Sequence, residues 1–446
     1  MTSANVTHRS AGPSGRSIRH TGFRFLIQRL SDGLISLVGP SDSHKQFQEP
    51  SAEKNLERRS SVMNVGLLII GAGPFGLALA AYAKHHEIPH LVVGKPMEFW
   101  QANMPEGMTL RSGCDWHLDP MDVHTIDAYL ATLGKRSSDV EPLPLSIFLE
   151  YAKWFAREKD IESLPLYVER LEYTNVPADP FRAVMEDGRV LSASHVVIAV
   201  GFEYFKHLPP DLLKRLPPGR FFHTCDLTKF DKLKAKRCLI IGGRQSAFEW
   251  AALINEAGAA EIHMSYRHVS PTFASSSWEW VNPILDHMVE HPAWFRNLLA
   301  TEKEELSRRL WAEGRLKLEP WLKARVMQDA ITLWPETNVV RCEELPNGEL
   351  QIELNSKQIL LVDYVILATG YRVDIQRVPF LQRGNILEML ASEDGFPLLD
   401  ESFQTNVQNL FVTSMAANHD FGPFFAFTVG ARASAKIMGR KIASGI

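Results

Sequence analysis

The sequence predicts an α/β protein built from two Rossmann-like dinucleotide-binding domains, with the second domain inserted in the first. Two glycine-rich turns indicate this fold, because each lies between a strand-like and a helix-like run: "LLIIGAGPFGLALA" at residues 67–80 and "IIGGRQSAFEW" at residues 240–250. A third observation is that strand-like runs return after a helix-rich stretch, in "GELQIEL" and "VDYVILATGY". This order places one dinucleotide-type unit inside the other.

The first unit opens with the pattern of a doubly wound sheet. A strand-like run at residues 65–70 enters the glycine turn, a helix-like run continues to about His86, and a second strand-like run follows at residues 90–93. Further along, residues 186–188 (Glu-Asp-Gly) supply a hairpin turn between two alternating runs.

The second unit repeats this order. We expect a strand at residues 238–241, a helix at 246–257 and a strand at 261–266. A helix-rich stretch follows at about residues 278–334, and a last helix starts near Phe424.

These patterns divide the chain into four parts. They are a disordered or leader extension at residues 1–62, the first part of the first domain at 63–235, the second domain with its helical insertion at 236–343, and the rest of the first domain at 344–446. The extension is rich in Ser, Arg and Pro and has no acidic residue before Asp32, which fits a transit peptide, a dispensable extension or a misplaced start. We expect it to be disordered and without function.

The overall composition excludes several classes of function. Apolar residues make up 45% and charged residues 22% of the chain, and the net charge of −4 gives no general attraction to nucleic acid. An apolar run at residues 65–83 is long enough to span a bilayer, but the glycines and the proline of the first turn would break a lipid-facing helix. We expect no nucleic-acid partner, no membrane span and a small-molecule substrate.

The four cysteines are Cys114, Cys225, Cys238 and Cys342. None belongs to a CxxC pair, and their spacing indicates neither a metal site nor a disulfide framework. We therefore expect free thiols in the cytoplasm and no bound metal. A dithiol–disulfide reductase is disfavoured, because it needs two neighbouring thiols.

In the first turn, Gly71, Gly73 and Gly76 fill the three glycine positions of G-x-G-x-x-G, with Pro74 and Phe75 between the last two. The first glycine permits the tight turn, the second lets a pyrophosphate approach the backbone, and the third lets helix and strand pack closely. Backbone N–H groups at the helix start then face the phosphates. We take these five residues as cofactor-binding.

The first turn lacks one expected partner. An acidic residue about 20 positions further on usually binds the adenosine ribose, whereas here the second strand ends in Gly94-Lys95. The ribose must be held by the backbone or by the following "KPMEFW".

The second turn is altered at one position. It contains Gly242, Gly243, Arg244, Gln245 and Ser246, with arginine where such turns usually carry glycine. The Gln and Ser side chains stand where they can cap a helix or contact a phosphate. We take all five residues as cofactor-binding.

Arg244 and Arg267 indicate which nucleotide the second turn holds. Arg267 follows the second strand of this unit, where an arginine accommodates the 2′-phosphate of NADP, and no acidic residue there favours NAD. The sequence predicts NADPH at this turn. The alternative is that both arginines are surface residues that serve solubility.

Beyond the turns, further stretches resemble the two-dinucleotide-domain flavoprotein monooxygenases, in particular the branch that N-hydroxylates ornithine, lysine and similar amines. "DYVILATGY" matches the D-x-x-x-L-A-T-G-Y signature of that branch, and "MTLRSGCDWHLDP" is similar to the segment that follows its flavin-contacting tryptophan. "GGRQSAFEW" matches the NADPH turn except at Arg244. "GGRQSAFEWAALI", "RHVSP" and "HDFGPFFAFTVGAR" also resemble a bacterial urate-hydroxylase-like group.

The resemblance covers residues 63–446 and implies FAD at the first turn and NADPH at the second. It implies further cofactor-binding residues, namely Trp100, Gln101, Arg111, Thr369, Gly370 and Tyr371. It also implies a reaction: NADPH reduces the flavin, the reduced flavin captures molecular oxygen as a C4a-hydroperoxide, and one oxygen atom passes to a small polar substrate, at nitrogen in the N-hydroxylating branch.

"NHDFGPFFAF" is the candidate catalytic stretch. Gly422-Pro423 suits a helix start, and the positive end of that helix can face the negative charge of a reduced flavin. His419 and Asp420 would then border the flavin edge, in either a catalytic or a helix-capping role.

Several alternatives remain open. The enzyme can be a flavin-dependent NAD(P)H oxidoreductase without oxygen transfer, or the chain can be a binding protein that retains the fold. Trp116-His117 can line a substrate pocket or belong to a packed loop. The stretch "SSSWEW" at residues 275–280 can be a lid or a helix entry capped by serine.

Overall fold

The computed structural model describes residues 62–174 and 176–445. The predicted extension therefore lies outside the described residues, apart from Val62. The strands are β1 Met63–Ile70, β2 His90–Val93, β3 Ser163–Leu164, β4 Val168–Tyr173, β5 Phe181–Met185, β6 Val190–Ile198, β7 Phe221–His223, β8 Arg237–Ile241, β9 Glu261–Tyr266, β10 Thr272–Phe273, β11 Lys317–Leu318, β12 Ile331–Pro335, β13 Val339–Glu344, β14 Leu350–Leu354, β15 Ile359–Val362, β16 Tyr364–Leu367, β17 Ser392–Glu393, β18 Phe396–Pro397 and β19 Leu410–Val412.

The α-helices are α1 Pro74–His85, α2 Glu98–Ala102, α3 Ile126–Thr132, α4 Leu145–Glu158, α5 Pro210–Leu213, α6 Gln245–Glu256, α7 Val281–Glu290, α8 Trp294–Asn297, α9 Ala300–Gly314, α10 Lys323–Val326, α11 Pro379–Gln382, α12 Ile386–Met389, α13 Asn418–Phe421 and α14 Val429–Ala443. Short 3₁₀ turns connect several of them, including one at Pro423–Ala426.

The first sheet carries the first glycine turn. Its order is β3-β2-β1-β6-β5-β4, and β19 pairs with the end of β6. The strands β3, β2, β1, β6 and β19 run parallel, while β4 and β5 form an antiparallel extension. The carboxyl ends of the parallel strands therefore lie at one edge, where ligands bind in folds of this kind.

Burial explains why β1 reads as a continuous apolar run. Leu67, Leu68 and Ile69 are fully buried, and parallel strands that are buried on both faces are apolar at consecutive positions. The long final helix α14 packs against α1, and Gly439 is the contact point, since a Cβ there would collide with the ring of Tyr82. The core thus fixes the helix that follows the first turn.

The second sheet carries the second turn and is entirely parallel, in the order β12-β9-β8-β16-β7. Two of its strands, β7 and β16, lie outside the predicted 236–343 domain, so the predicted boundaries do not coincide with the sheet. The three residues of β7 are too few to show a pattern in the sequence, and β16 returns to pair with β8 only in three dimensions.

Between β9 and β12 lies a helical arm formed by α7 to α10. The predicted helix-rich stretch extends too far, because residues 331–335 form β12 at the edge of the second sheet. The antiparallel sheet β13-β14-β15 follows and packs beside β8 and β16. In the described part of the chain, no helix is both long enough and apolar enough to cross a membrane.

Candidate active site

A cavity opens at the carboxyl ends of β1, β2 and β6. Its lining consists of residues 70–75, 93–95, 97–100, 166–168 and 199–204, together with Phe380, Ser414 and residues 426–428. Four of the five first-turn residues taken as cofactor-binding, Gly71, Gly73, Pro74 and Phe75, lie in this lining.

The first turn has the geometry of a phosphate cradle. Gly71 has φ +116°, and a Cβ there would collide with the carbonyl of Ala199. Gly76 packs directly against the Gly71 carbonyl, whereas a Cβ at Gly73 would meet no atom within 4 Å. The backbone is therefore open toward the cavity at the second glycine, and α1 begins there with no acidic residue in its first turn.

Glu98 supplies an acidic group within the "KPMEFW" stretch that the sequence analysis named as a ribose contact. The short helix α2 places it in the cavity lining beside Gly94, four positions after the strand end where an acid is usually found. Its Oε1 accepts a hydrogen bond from Lys95 Nζ at 3.1 Å, and Lys95 Nζ lies 4.9 Å from the ring centroid of Tyr167. The charge of Glu98 also contributes, after burial, to the raised pKa of the Glu203 carboxyl.

Aromatic side chains also line the cavity. Trp100 lines it and packs with its ring centroid 4.9 Å from that of Phe148. Phe202, which also lines the cavity, lies 4.8 Å from the ring of Tyr371. These rings give the cavity wall an apolar surface near Trp100 and Phe202.

The final helix begins later than expected. Gly422 has φ +88°, and a 3₁₀ turn at residues 423–426 intervenes, so α14 starts at Val429. Thr428, the residue before the helix, lines the cavity, and no acidic residue lies in the first turn of α14. The positive end of a helix thus does border the cavity, although at a different residue from the predicted one.

His419 and Asp420, the predicted catalytic pair, are not in the cavity lining. They lie in α13, where Asp420 Oδ2 accepts a hydrogen bond from the backbone N–H of Leu399 at 2.9 Å and Asp420 Oδ1 lies 3.5 Å from Arg296. His419 Nδ1 is 3.5 Å from Asp420. Because the interposed turn shifts the helix start, these residues stabilise a loop instead of facing the cavity.

Gln101 and Arg111 also lie outside the cavity lining. Gln101 is exposed and donates to the carbonyl of Pro96 at 3.0 Å. Arg111 donates to Glu319 Oε1 at 3.0 Å and to the carbonyl of Gly314 at 2.6 Å. Arg111 therefore connects to the helical arm and makes no approach to the first turn.

Trp116 and His117 have separate environments. Trp116 is buried, with its ring 5.7 Å from that of Trp278, as expected for a packed loop. His117 lines a second, polar cavity and accepts a hydrogen bond at Nε2 from Arg432 at 2.8 Å. Burial, followed by the charge of Arg432, lowers the pKa of His117 to about 4, so its ring is neutral.

The "SSSWEW" stretch is held against the helical arm. Ser276 Oγ donates to the carbonyl of Glu313 at 2.8 Å, and the backbone N–H of Ser277 donates to the Glu313 carboxylate at 2.9 Å. No serine side chain caps α7, whose preceding residue is Trp280. The interpretation as a serine-capped helix entry is therefore wrong.

The second turn has the same plan as the first. Gly242 has φ +147°, and α6 begins at Gln245 with no acidic residue in its first turn. Gln245 Oε1 accepts a hydrogen bond from the backbone N–H of Glu319 at 3.1 Å, while its Nε2 has no partner among the described residues. Ser246 is exposed at the helix start. A donor and an exposed hydroxyl are thus available where a phosphate would lie.

Arg244 projects from this turn onto the helical arm. Its guanidinium lies 3.9 Å from the ring centroid of Trp311, and Nη1 donates to the carbonyl of Arg315 at 2.9 Å. Burial lowers the pKa of Arg244 to about 10, with Arg315 and Arg267 adding positive charge nearby. No carboxylate lies within 4 Å of these three guanidiniums in the described part of the chain. The group is an uncompensated cationic cluster at the mouth of the turn.

The segments that follow β6 and β16 join the two sheets. Thr369 Oγ1 donates to the carbonyl of His207 at 2.5 Å, and the carbonyl of Gly370 accepts from the His207 N–H at 2.8 Å and from His223 Nε2 at 3.1 Å. Burial raises the pKa of the Tyr371 hydroxyl. Predicted cofactor-binding residues thus connect the carboxyl ends of the two sheets.

Two glycine turns at the carboxyl ends of parallel strands, in two sheets that are joined, define a protein with two dinucleotide sites. Residues 65–414 match the family model described as pyridine nucleotide-disulphide oxidoreductase, and the chain belongs to this family. In the described part of the chain, no group of three or more His, Cys, Asp or Glu side chains is arranged to hold a metal ion.

Similar proteins include several monooxygenases. The chain is 23% identical over 385 residues to a probable indole-3-pyruvate monooxygenase of Arabidopsis thaliana, covering 79% of this chain and 84% of the relative. It is 24% identical over 225 residues to a trimethylamine monooxygenase of a Pelagibacter strain, covering 45% of this chain and 50% of the relative.

Similar solved structures confirm the α/β fold with two dinucleotide domains. The ornithine N-hydroxylase of Kutzneria sp. 744 has a TM-score of 0.71 at 14% identity, covering 86% of this chain and 99% of its own. The ornithine hydroxylase of Pseudomonas aeruginosa has a TM-score of 0.67 at 18% identity, with the same two coverages.

Proposed function

We propose that this protein is an FAD-dependent, NADPH-using monooxygenase that hydroxylates a small polar substrate with molecular oxygen. The observation that carries the proposal is the pair of glycine turns at the carboxyl ends of parallel strands in two sheets. The segments that follow these strands are hydrogen-bonded to each other, at Thr369 and His207. The named activities of the similar proteins support oxygen transfer, including transfer to nitrogen.

The first turn would hold FAD. The open backbone at Gly73 fits a pyrophosphate, and Glu98 would accept hydrogen bonds from the adenosine ribose. Trp100 and Thr428 would lie beside the flavin ring, where the positive end of α14 stabilises negative charge. Bound FAD would supply hydride acceptance and oxygen activation, which no side chain of the chain can supply.

The second turn would hold NADPH. Gln245 Nε2, without a partner among the described residues, would donate to the pyrophosphate. Arg244, Arg267 and Arg315 would bind the 2′-phosphate, since an uncompensated cluster of guanidiniums is suited to a dianion. The protein's own contribution to the reaction is to orient both groups and to keep water out through the aromatic wall around Trp100.

The alternative is a flavin-dependent NAD(P)H oxidoreductase without oxygen transfer, which the family name also fits. A dithiol mechanism is disfavoured, because the four free cysteines include no CxxC pair and burial raises the pKa of Cys114 and of Cys225 to about 11. The free cysteines also support the proposal of a cytoplasmic location.

The test is anaerobic reduction of the FAD-loaded protein by NADPH, followed by rapid mixing with oxygen. A transient absorbance distinct from both oxidised and reduced flavin, with oxygen consumption matched by hydroxylated product in an amine and purine screen, is expected. Direct return of oxidised flavin with one peroxide per NADPH, for every substrate tried, would favour the alternative.

The Glu98→Gln variant is expected to bind FAD about ten- to a hundredfold more weakly, because a charge-assisted hydrogen bond contributes about 1.5–3 kcal/mol. Equilibrium titration of the flavin-free protein, monitored by flavin fluorescence, measures this change. Glu106→Gln is the matched control, since Glu106 is exposed and outside the cavity lining. Equal affinity of the Glu98→Gln variant and the unaltered protein would remove Glu98 from the ribose site.

A further inference from the structure

Residues 100–113 form a segment, here called the strap, that runs from the cavity to the helical arm that follows β9. It begins at Trp100 in the cavity lining and ends beyond Arg111, which is bonded to Glu319 and Gly314. Between them, Asn103 Nδ2 donates to the carbonyl of Cys225 at 3.0 Å. The strap therefore has one end in the candidate flavin site and the other on the helical arm.

The middle of the strap is bound on both sides. On one side, the backbone N–H of Leu110 donates to the carbonyl of Leu143 at 2.8 Å. On the other side, Thr109 donates to Glu249 Oε1 through its backbone N–H at 2.8 Å and through its Oγ1 at 3.1 Å. Glu249 belongs to α6, the helix that begins at the second turn.

Glu249 is an unusual residue for a helix core. Its side chain is 0% exposed, and its Oε2 has no hydrogen-bond partner among the described residues. No Lys, Arg or His side chain of the described residues lies within 4 Å of its carboxylate. Burying an unpaired carboxylate is costly, and an apolar side chain of similar size would stabilise the fold better. The hydrogen bonds to Thr109 are thus the contacts that distinguish Glu249 from an apolar residue.

We propose that Glu249 is a positioning residue, which ties the strap to α6 and so holds the Trp100 side of the flavin cavity in a fixed relation to the second turn. The proposal rests on the proposed function, in which NADPH at the second turn reduces FAD at the first by a two-electron hydride transfer. Misplacement of reacting groups by about 1 Å can cost a hundredfold in rate.

The charge of Glu249 makes this link dependent on pH. Burial raises the pKa of its carboxyl to about 7, against the opposing effects of the Thr109 hydrogen bonds and of the more distant Arg325 and Arg111. Gln245, one helical turn earlier, contributes no titrating group. Above pH 7 the bonds to Thr109 are charge-assisted and strong, and below it they become ordinary. Flavin reduction is therefore expected to slow as the pH falls through about 7.

The experiment measures the rate of flavin reduction at saturating NADPH, without oxygen, from pH 6 to pH 8 in the FAD-loaded full chain. Glu249→Gln keeps an acceptor but no charge, so its rate is expected to be independent of pH and equal to the low-pH rate of the unaltered protein. Glu249→Leu removes the acceptor and is expected to reduce the flavin about ten- to a hundredfold more slowly at pH 8. Glu106→Gln, an exposed carboxylate on the strap, should keep the unaltered rate and pH profile.

Thr109→Val is the second variant, because it keeps the shape of the side chain and loses only the Oγ1 hydrogen bond. It is expected to reduce the flavin severalfold more slowly even if Glu249→Leu does not fold. An unaltered pH profile in Glu249→Gln, or an unaltered rate in Thr109→Val, would overturn the proposal. Failure of the cofactor assignment is distinguishable, since NADPH would then not reduce the flavin of the unaltered protein at all. Failure of oxygen transfer alone would leave these anaerobic rates of reduction unaffected.

Discussion

The Gly76→Ala variant is expected to be purified without FAD and to bind added FAD at least tenfold more weakly than the unaltered protein. The Cβ of an alanine at residue 76 would overlap the carbonyl oxygen of Gly71. Both atoms belong to the rigid junction of β1 and α1, so the turn must open and the helix N-terminus must leave the phosphate position. Overpacking of this kind also costs about 1–3 kcal/mol of stability.

The measurement is the ratio of flavin absorbance to protein, with FAD titration and thermal unfolding of the flavin-free protein. Gly73→Ala is the matched comparison, because a Cβ at Gly73 meets no protein atom within 4 Å. It should leave the thermal unfolding of the flavin-free protein unchanged and weaken FAD binding only through contact with the phosphates. A Gly76→Ala protein that binds FAD as tightly as the unaltered protein would contradict the placement of FAD at this turn.

The Arg244→Gln variant is expected to lose about ten- to a hundredfold in kcat/KM for NADPH and to change little with NADH. The guanidinium stacks on Trp311 with no carboxylate partner in the described residues, so its charge is available to a 2′-phosphate. A charge-assisted hydrogen bond of this type contributes about 1.5–3 kcal/mol. NADH has no phosphate at this position, so its kcat/KM should change little.

Rates of flavin reduction over a range of NADPH and NADH concentrations measure the preference. Arg308→Gln is the control, because Arg308 lies on the same helical arm, is exposed and pairs with Glu305 at 3.1 Å. Equal losses of kcat/KM with both nucleotides would show that Arg244 stabilises the helical arm and does not bind the 2′-phosphate. An unchanged preference for NADPH over NADH would indicate that Arg267 or Arg315, and not Arg244, binds the 2′-phosphate.

Local patterns predicted the elements around both turns to within two residues. The strand at 65–70, the helix after Gly73 and the strand at 90–93 depend on apolar runs and glycines that are adjacent in the chain. The strand at 261–266 was likewise predicted with its observed bounds. Such elements are readable because their determinants are local.

The features that the sequence did not reveal depend on distant contacts. The strand β16 joins the second sheet by pairing with β8, more than 120 residues earlier in the chain, and Arg111 turns away from the cavity because Glu319 and Gly314 lie within reach. Glu98 belongs to the "KPMEFW" stretch named in the sequence analysis, but residues 94–97 separate β2 from α2 and place its carboxylate four positions beyond the usual acidic residue. The predicted roles of His419 and Asp420 depended on a helix start that the turn at residues 423–426 displaces.

The most direct test of the central claim, two dinucleotide sites in one chain that act together, is anaerobic titration of the FAD-reconstituted protein with NADPH. We expect one FAD per chain and full reduction by one equivalent of NADPH, at a rate that saturates with NADPH concentration. A protein that takes up no FAD, or that holds FAD which NADPH does not reduce, would contradict it.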